Sequence, residues 1–381
     1  MTSEILSGVG SVPLYQQVAQ YLRQRLADGT YPPASALPSE MELVSLLGVS
    51  RPTVRRALEL LIQENVIQRV PGRGTYAIEV PGKAALKKTG NIGLIVLEMR
   101  DHFVMRIVNG AEHVLAEKGF RPVLFNSGNE IGTEQRKLRE MWEAHIVDGF
   151  LIMPSDSPLV PVVLVELLAE GVPLVLVDRY FEDSSAPFVA SDDLRGGQLV
   201  AEHLLSLGHR RIGFVTRPDI YISSVAQRLR GFRETLGAAG VGFDAGLIFQ
   251  GLLPFLSQKH FQEHQLHRLA QFEREAICDY LARPDRPSAI FACNDHIAVR
   301  VMEACREMGL RIPEDIALVG YADEPVASAL TPPLTTVRQN PYDMGVRAAS
   351  KLLDLLAGRP VDRETLLPVE LIVRRSCGAR A

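Results

Sequence analysis

From residue 13 the apolar positions recur with a helical period. Leu14, Val18, Leu22 and Leu26 share a face, and Pro13 stands where a helix start has no hydrogen bond to lose. The next stretch, LPSEMELVSLLG, places Ser39 as an N-cap with Glu42 three residues on, the reciprocal capping pattern, and Gly48 as the stop. A third helix follows almost at once, capped by Ser50, with Pro52 in its first turn and Val54, Leu58, Leu61 and Ile62 on its buried side. VIQRVPGRGTYAI then reads as two short strands around a glycine-bearing tip. Three helices, the last two joined by a short turn, and a closing hairpin predict a winged helix-turn-helix.

Beyond residue 90 the pattern changes. NIGLIVL, RPVLFNS, VDGFLIMP, VPLVLVD, RRIGFVT, PSAIFACND and DIALVGYAD are short apolar runs, each followed by a helix-length stretch. Such alternation predicts an α/β fold with parallel sheets covered on both faces. Roughly 290 residues exceed what one such sheet needs, so two lobes with a cleft between them are expected, and ligands bind beyond the carboxyl ends of the strands. Between the two patterns, IEVPGKAALKKTG carries a proline, glycines and Lys83, Lys87 and Lys88, the composition of an exposed connector. The expected division is a winged helix-turn-helix over 1–78, a linker over 79–90 and the two-lobed domain over 91–381.

Charge narrows the function. A formal net charge of −4 excludes a protein that coats nucleic acid indiscriminately, and in the first eighty residues the arginines are matched by acids such as Glu40, Glu42 and Glu59. Any DNA-reading face must therefore be made by placement. GVSRPTVRRALELL supplies one: Arg51 and Arg55 are four apart and project from one side of the helix, and each can offer paired donors to the O6 and N7 edge of guanine. Arg56 lies about 100° round the helix and is better placed for phosphate. The amides near Ser50 and Thr53 can receive a phosphate, and Arg73 at the hairpin tip can reach the minor groove or backbone.

In the larger part, polar residues follow the strands where a cleft would need them. Glu98 to Phe103 follow the first strand, with Arg100, Asp101 and Phe103 among them; Asn126 follows the second, and Asp178 and Arg179 another. Asn294 and Asp295 follow a fourth, and Tyr321 to Asp323 a fifth. Carboxylates, amides and an arginine can pair with the vicinal hydroxyls of a sugar-like molecule while aromatic rings cover its apolar face. Each such residue singly could cap a helix or turn; the repetition favours a pocket. Cys278, Cys293, Cys305 and Cys377 form no CxxC pair, and His260, His264 and His267 find no partners that complete a metal site, so neither metal nor cofactor is expected. The N-terminus lacks a signal-peptide pattern and no long charge-free apolar run appears, so a cytoplasmic protein without a membrane partner is expected.

Residues 12 to 77, through LYQQVAQYLRQRLADGTY, LPSEMELVSLLGVSRPTVRRAL and VIQRVPGRGTYA, resemble the DNA-reading domain of the GntR family of bacterial transcription regulators. That resemblance implies operator contacts at Arg51, Thr53, Arg55 and Arg73; the family usually has arginine where this chain has Met41. Residues 91 to 375 resemble the effector-sensing domain of LacI-type repressors, itself similar to periplasmic sugar-binding proteins. NGAEHVLAEKGF, GGQLVAEHLLSLGHRRIGFVT, SAIFACNDHIAVRVMEACREMGLRIPEDIALVGYAD and PPLTTVRQNPYDMG carry it. It implies a two-lobed dimeric sensor with Arg228 and Asn294 or Asp295 on the ligand. Where that family generally has an acidic or amide residue reaching the ligand, this chain has Ala322 followed by Asp323. Arg100, Arg179 and Arg228 together would tolerate an acid or phosphate on the ligand, so a phosphosugar or sugar acid stays open. The hybrid resembles the arabinose-repressor class.

The function expected is a homodimeric transcription repressor, bound to a roughly palindromic double-stranded operator and controlled by a sugar or sugar-derived effector. The rivals are an enzyme or a solute-binding protein acting on a sugar-like ligand. No GxxxxGK, HExxH or GxSxG is present to support the first, and a DNA-reading domain argues against the second.

Overall fold

The computed structural model describes residues 13–27, 30–32, 34–63, 66–70, 73–77, 89–242, 244–253 and 263–379. The chain divides at residues 88 and 89 into two compact units. The connector expected over 79–90 lies outside the described residues except for its last two positions. The Asp148 carboxylate holds these, accepting from the Thr89 and Gly90 amides at 2.8 and 2.9 Å.

The small unit contains α1 (Leu14–Ala27), α2 (Glu40–Leu47), α3 (Arg51–Gln63), β1 (Ile67–Val70) and β2 (Gly74–Ala77). Helix α2 starts on the capping box: Ser39 Oγ accepts from the Glu42 amide while the Ser39 amide donates to Glu42 at 2.7 Å. It stops at Gly48, whose φ of 66° is the left-handed geometry that lets its N–H reach Val44. Val18, Leu22, Leu43, Val54, Leu58, Leu61 and Ile67 pack as one core. The antiparallel β1–β2 pair, with Val70 opposite Gly74, forms the wing.

The large unit has two six-stranded sheets. The first is built from β3 (Asn91–Val96), β4 (Arg121–Asn126), β5 (Gly149–Ile152), β6 (Leu174–Val177), β7 (Phe188–Ser191) and β13 (Glu364–Leu367). Its order is β13-β7-β6-β5-β3-β4, with every pairing parallel. The second contains β8 (Ile212–Val215), β9 (Ile248–Phe249), β10 (Ala289–Ala292), β11 (Ala317–Ala322), β12 (Thr335–Arg338) and β14 (Glu370–Ile372). Its order is β14-β12-β11-β10-β8-β9, and only the β14 edge runs antiparallel. The helices are α4 (His102–Glu117), α5 (Ile131–Glu143), α6 (Val162–Ala169), α7 (Asp193–Ser206), α8 (Ser223–Ala238), α9 (Glu263–Ala282), α10 (Asp295–Glu307), α11 (Pro325–Ala329) and α12 (Pro341–Leu356). The central strands are buried throughout, as continuous apolar runs require. The chain passes between lobes three times: after β7, after β12 and after β13.

Helices α7 and α8 meet almost backbone to backbone. A Cβ built on Gly197 of α7 would lie 2.0 Å from the Arg228 carbonyl oxygen of α8, and one on Gly231 2.0 Å from that of Leu194. No rotamer relieves a clash with backbone. Gly197→Ala therefore forces the helices apart and lowers stability by about 1–3 kcal/mol. Thermal unfolding should show a fall of several degrees, and an unchanged midpoint would refute the close packing.

Candidate functional site

The first residues of α3 form a charged face. Ser50 Oγ lies 2.7 Å from Thr53 Oγ1 and 3.4 Å from the Thr53 amide, so it caps the helix. Arg51 and Arg55 are 58% and 51% exposed, yet both turn onto Glu40: Arg51 Nε at 3.0 Å and Arg55 Nη2 at 3.2 Å. Arg69 of β1 donates to the other oxygen of the same carboxylate. Glu40 is only 10% exposed, and hydrogen bonds from Arg55 and then Arg51 pull its carboxyl down from 4.5 to about 2. Three guanidiniums on one carboxylate leave an excess of positive charge, held in register, for an anion or a guanine edge. Neither Glu40 nor Arg69 stands out in sequence as part of this face, because they lie 11 to 29 residues from their partners. Arg56 is separate from the cluster: its guanidinium lies 4.4 Å over the Tyr15 ring of α1. Arg73 is exposed at the wing, beside Gly74, and Met41 is 63% exposed.

In the large unit a cavity of about 140 Å³ opens at the strand ends. Asp101, Phe103, Arg179, Arg228, Asn294 and Asp295 line it together. Asp101 caps α4 through the Val104 amide, and Asn294 caps α10 through the Ile297 amide at 2.8 Å, so both side chains are fixed by the helix starts they serve. Arg228 comes from α8 and is buried. Its Nε donates to Asp193 at 2.8 Å, its Nη1 to the Cys293 carbonyl at 3.0 Å, and its guanidinium lies 3.8 Å over the Tyr321 ring.

Asp295 is fully buried, accepting from Thr336 Oγ1 at 2.7 Å and from the Glu324 amide at 2.8 Å. Burial pushes its carboxyl up to about 7, and those bonds offset part of the rise. Asp178 sits after β6 at a φ of 67°. Burial raises it to about 6 despite the neighbouring Arg179. Arg179 is also paired with Asp156.

Three of the expected residues lie elsewhere. Arg100 is exposed beyond β3 with its amide on Glu98, and Asn126 accepts from the Gly128 amide in a local turn. Asp323 turns away because the backbone runs through positive φ at Ala322 (117°) and Asp323 (54°). Its carboxylate is clamped by Arg338 at 2.8 Å and Arg374 at 2.6 Å, on a separate groove. The residues that sequence does not single out are Glu324, Gln339 and Asp193. Glu324 lies 3.1 Å from His102 across the lobes, and Gln339 donates to Ser191 at 2.9 Å where the chain passes between them. The side chains of His260, His264 and His267 lie outside the described ones. Among the described residues no three His, Cys, Asp or Glu could hold a metal, and no helix is long and apolar enough to cross a membrane.

A winged helix-turn-helix with an ordered arginine face, in one chain with a two-lobed sheet domain around a polar cavity, defines a DNA-binding transcription regulator with a ligand sensor. Comparison with known proteins agrees. The profile for bacterial regulatory proteins, gntR family, matches residues 14–77, and that for a periplasmic binding protein-like domain matches residues 201–377. An arabinose metabolism transcriptional repressor from Geobacillus stearothermophilus is 32% identical over 375 residues, covering 96% of this chain and 98% of the relative. The crystal structure of a transcription regulator GntR from Chromobacterium violaceum is 30% identical with a TM-score of 0.63, covering 76% of this chain and all of that one. A transcriptional regulator CelR in complex with cellobiose is 27% identical with a TM-score of 0.65, covering 89% of this chain and all of that one. The chain belongs to the family of bacterial transcriptional repressors that join a GntR-type DNA reader to a LacI-like, periplasmic-binding-protein-like sensor. These relatives are transcription regulators, not enzymes.

Proposed function

We propose that this regulator represses transcription from a roughly palindromic operator as a homodimer and is controlled by a carbohydrate or carbohydrate-derived effector held at the cavity between its lobes. Arg51 and Arg55 read guanine edges, Ser50, Thr53 and the amides of the first turn of α3 take a phosphate, and Arg73 contacts the backbone from the wing. Arg228 and Asn294 bind effector hydroxyls, with Asp101, Arg179 and Asp295 shaping the polar wall and Phe103 the apolar one. The observation that carries this reading is the cavity itself: carboxylates, an amide, guanidiniums and an aromatic ring line one volume of about 140 Å³. One relative is named for arabinose metabolism and another holds cellobiose, which favours a carbohydrate. Binding that differs between lobe arrangements changes operator affinity by a coupling of about 1–3 kcal/mol, or roughly 5- to 150-fold.

Thermal unfolding of the full-length protein against pentoses, hexoses and their derivatives tests the effector class. An effector at a hundred times its Kd stabilises by about 2.7 kcal/mol and raises the midpoint by several degrees. A flat response across the whole panel would sink the carbohydrate reading.

A further inference from the structure

Five carboxylates line the cavity: Glu98, Asp101, Asp178, Asp295 and Glu324. The two guanidiniums beside them offset little, because each brings its own carboxylate, Asp193 for Arg228 and Asp156 for Arg179. Four of the five have work within the protein. Glu98 accepts from the Arg100 amide, Asp101 caps α4, Asp295 bonds Thr336 and the Glu324 amide, and Glu324 faces His102.

Asp178 differs. It is 7% exposed, and its Oδ1 has no hydrogen-bond partner. The nearest cation, Arg179 Nε, stands 3.7 Å from its other oxygen, beyond hydrogen-bonding distance, and has no partner itself, while Nη1 of the same guanidinium pairs with Asp156. Its backbone is left-handed, a conformation aspartate adopts more readily than most residues with a side chain, and it places an unsatisfied buried carboxyl oxygen at one wall of the cavity. Such a combination marks a place where a ligand completes the bonding. Among the described residues no set of three side chains could hold a metal ion, so the countercharge comes on an organic group. Phe103 lines the same space and offers a ring face to an ammonium.

We propose that the effector is a hydroxyl-rich molecule carrying a protonated amine, the chemistry of an amino sugar, with its ammonium on Asp178 and its hydroxyls on Arg228 and Asn294. This rests on the carbohydrate reading above and narrows it: sugar acids and phosphosugars, open on sequence because of Arg100, Arg179 and Arg228, are rejected. Arg100 does not line the cavity and the other two are neutralised.

Titration calorimetry on the full-length protein tests it with matched probes: D-glucose and D-galactose, their 2-amino-2-deoxy forms, the N-acetylated amines, the uronic acids and the 6-phosphates, with L-arabinose as a neutral pentose. One amine should bind at least about tenfold tighter than any neutral or acetylated probe, as a charge-assisted bond to a buried carboxylate requires. The acids and phosphates should not bind. Asp178→Asn keeps the side-chain shape, and asparagine tolerates left-handed backbone; it should erase the amine's advantage while leaving the neutral parent within about twofold. A neutral or acidic probe that binds as tightly as the best amine overturns the proposal, as does an Asp178→Asn protein that melts normally and keeps full amine affinity. If no probe binds, the carbohydrate reading falls and this inference with it.

Discussion

Replacing Arg51 and Arg55 together by alanine should lower affinity for operator DNA by roughly two to four orders of magnitude, since each two-pronged guanine contact is worth about 1–3 kcal/mol. The operator for this test is a duplex selected by the wild-type protein from a random pool, and anisotropy at one fixed salt concentration is the readout, because affinities across salt conditions do not compare. The effect is large because these side chains are already ordered. Glu40 accepts from both, so much of the conformational freedom that long exposed arginines lose on binding is lost beforehand. Glu40→Gln supplies the contrast. It removes the shared charge and frees Arg51, Arg55 and Arg69 to pair with any phosphate, so binding to scrambled duplex should strengthen while the ratio of operator to scrambled affinity shrinks. Effector binding should not change in either variant, since the sensor has its own core. A double-alanine protein that still discriminates the selected duplex would remove α3 from the reading of sequence.

The second large effect belongs to the sensor. Arg228→Met should cost about 3–5 kcal/mol, because it leaves Asp193 buried without its cation. The sensor's unfolding midpoint should fall on the order of 10 °C, and the response to effector should vanish with the donor. Asp193 is already raised by burial, with Arg228 holding it back; without Arg228 it rises further. A raised carboxyl destabilises only where it would be ionised in the unfolded chain, so the variant's deficit should shrink as pH falls toward the ordinary aspartate range and be greatest at neutral pH. Arg228→Met combined with Asp193→Asn should recover much of the lost stability but not the effector response. Scanning calorimetry of the single and double variants checks this. A single variant that melts within about 2 °C of wild type would show that the pair is wet and of little consequence.

Some of this architecture follows from local chemistry and so is written in the chain order. The capping box at Ser39 and Glu42, the left-handed stop at Gly48 and the helical period of α1 and α3 depend on residues within four positions of one another. The apolar runs that became buried parallel strands are equally local, because a strand covered on both faces needs no polar alternation. Asn294 and Asp101 were legible for the same reason: a polar residue at the start of a helix after a strand end is placed by that junction.

What sequence determined about this protein is therefore its two-part plan, a GntR-like reader before a LacI-like sensor, and the elements on which its chemistry stands. Tertiary structure alone decided which charges meet. Glu40 gathers arginines from two other elements, Asp193 answers Arg228 across two helices that approach at Gly197 and Gly231, and Glu324 reaches His102 in the other lobe. It also turned Asp323 out of the cavity and left Asp178 in it. Distance along the chain carries no information about such pairs. They arise where packed backbones bring side chains within a few ångströms, and at that range burial and opposing charge set both their ionisation and their use.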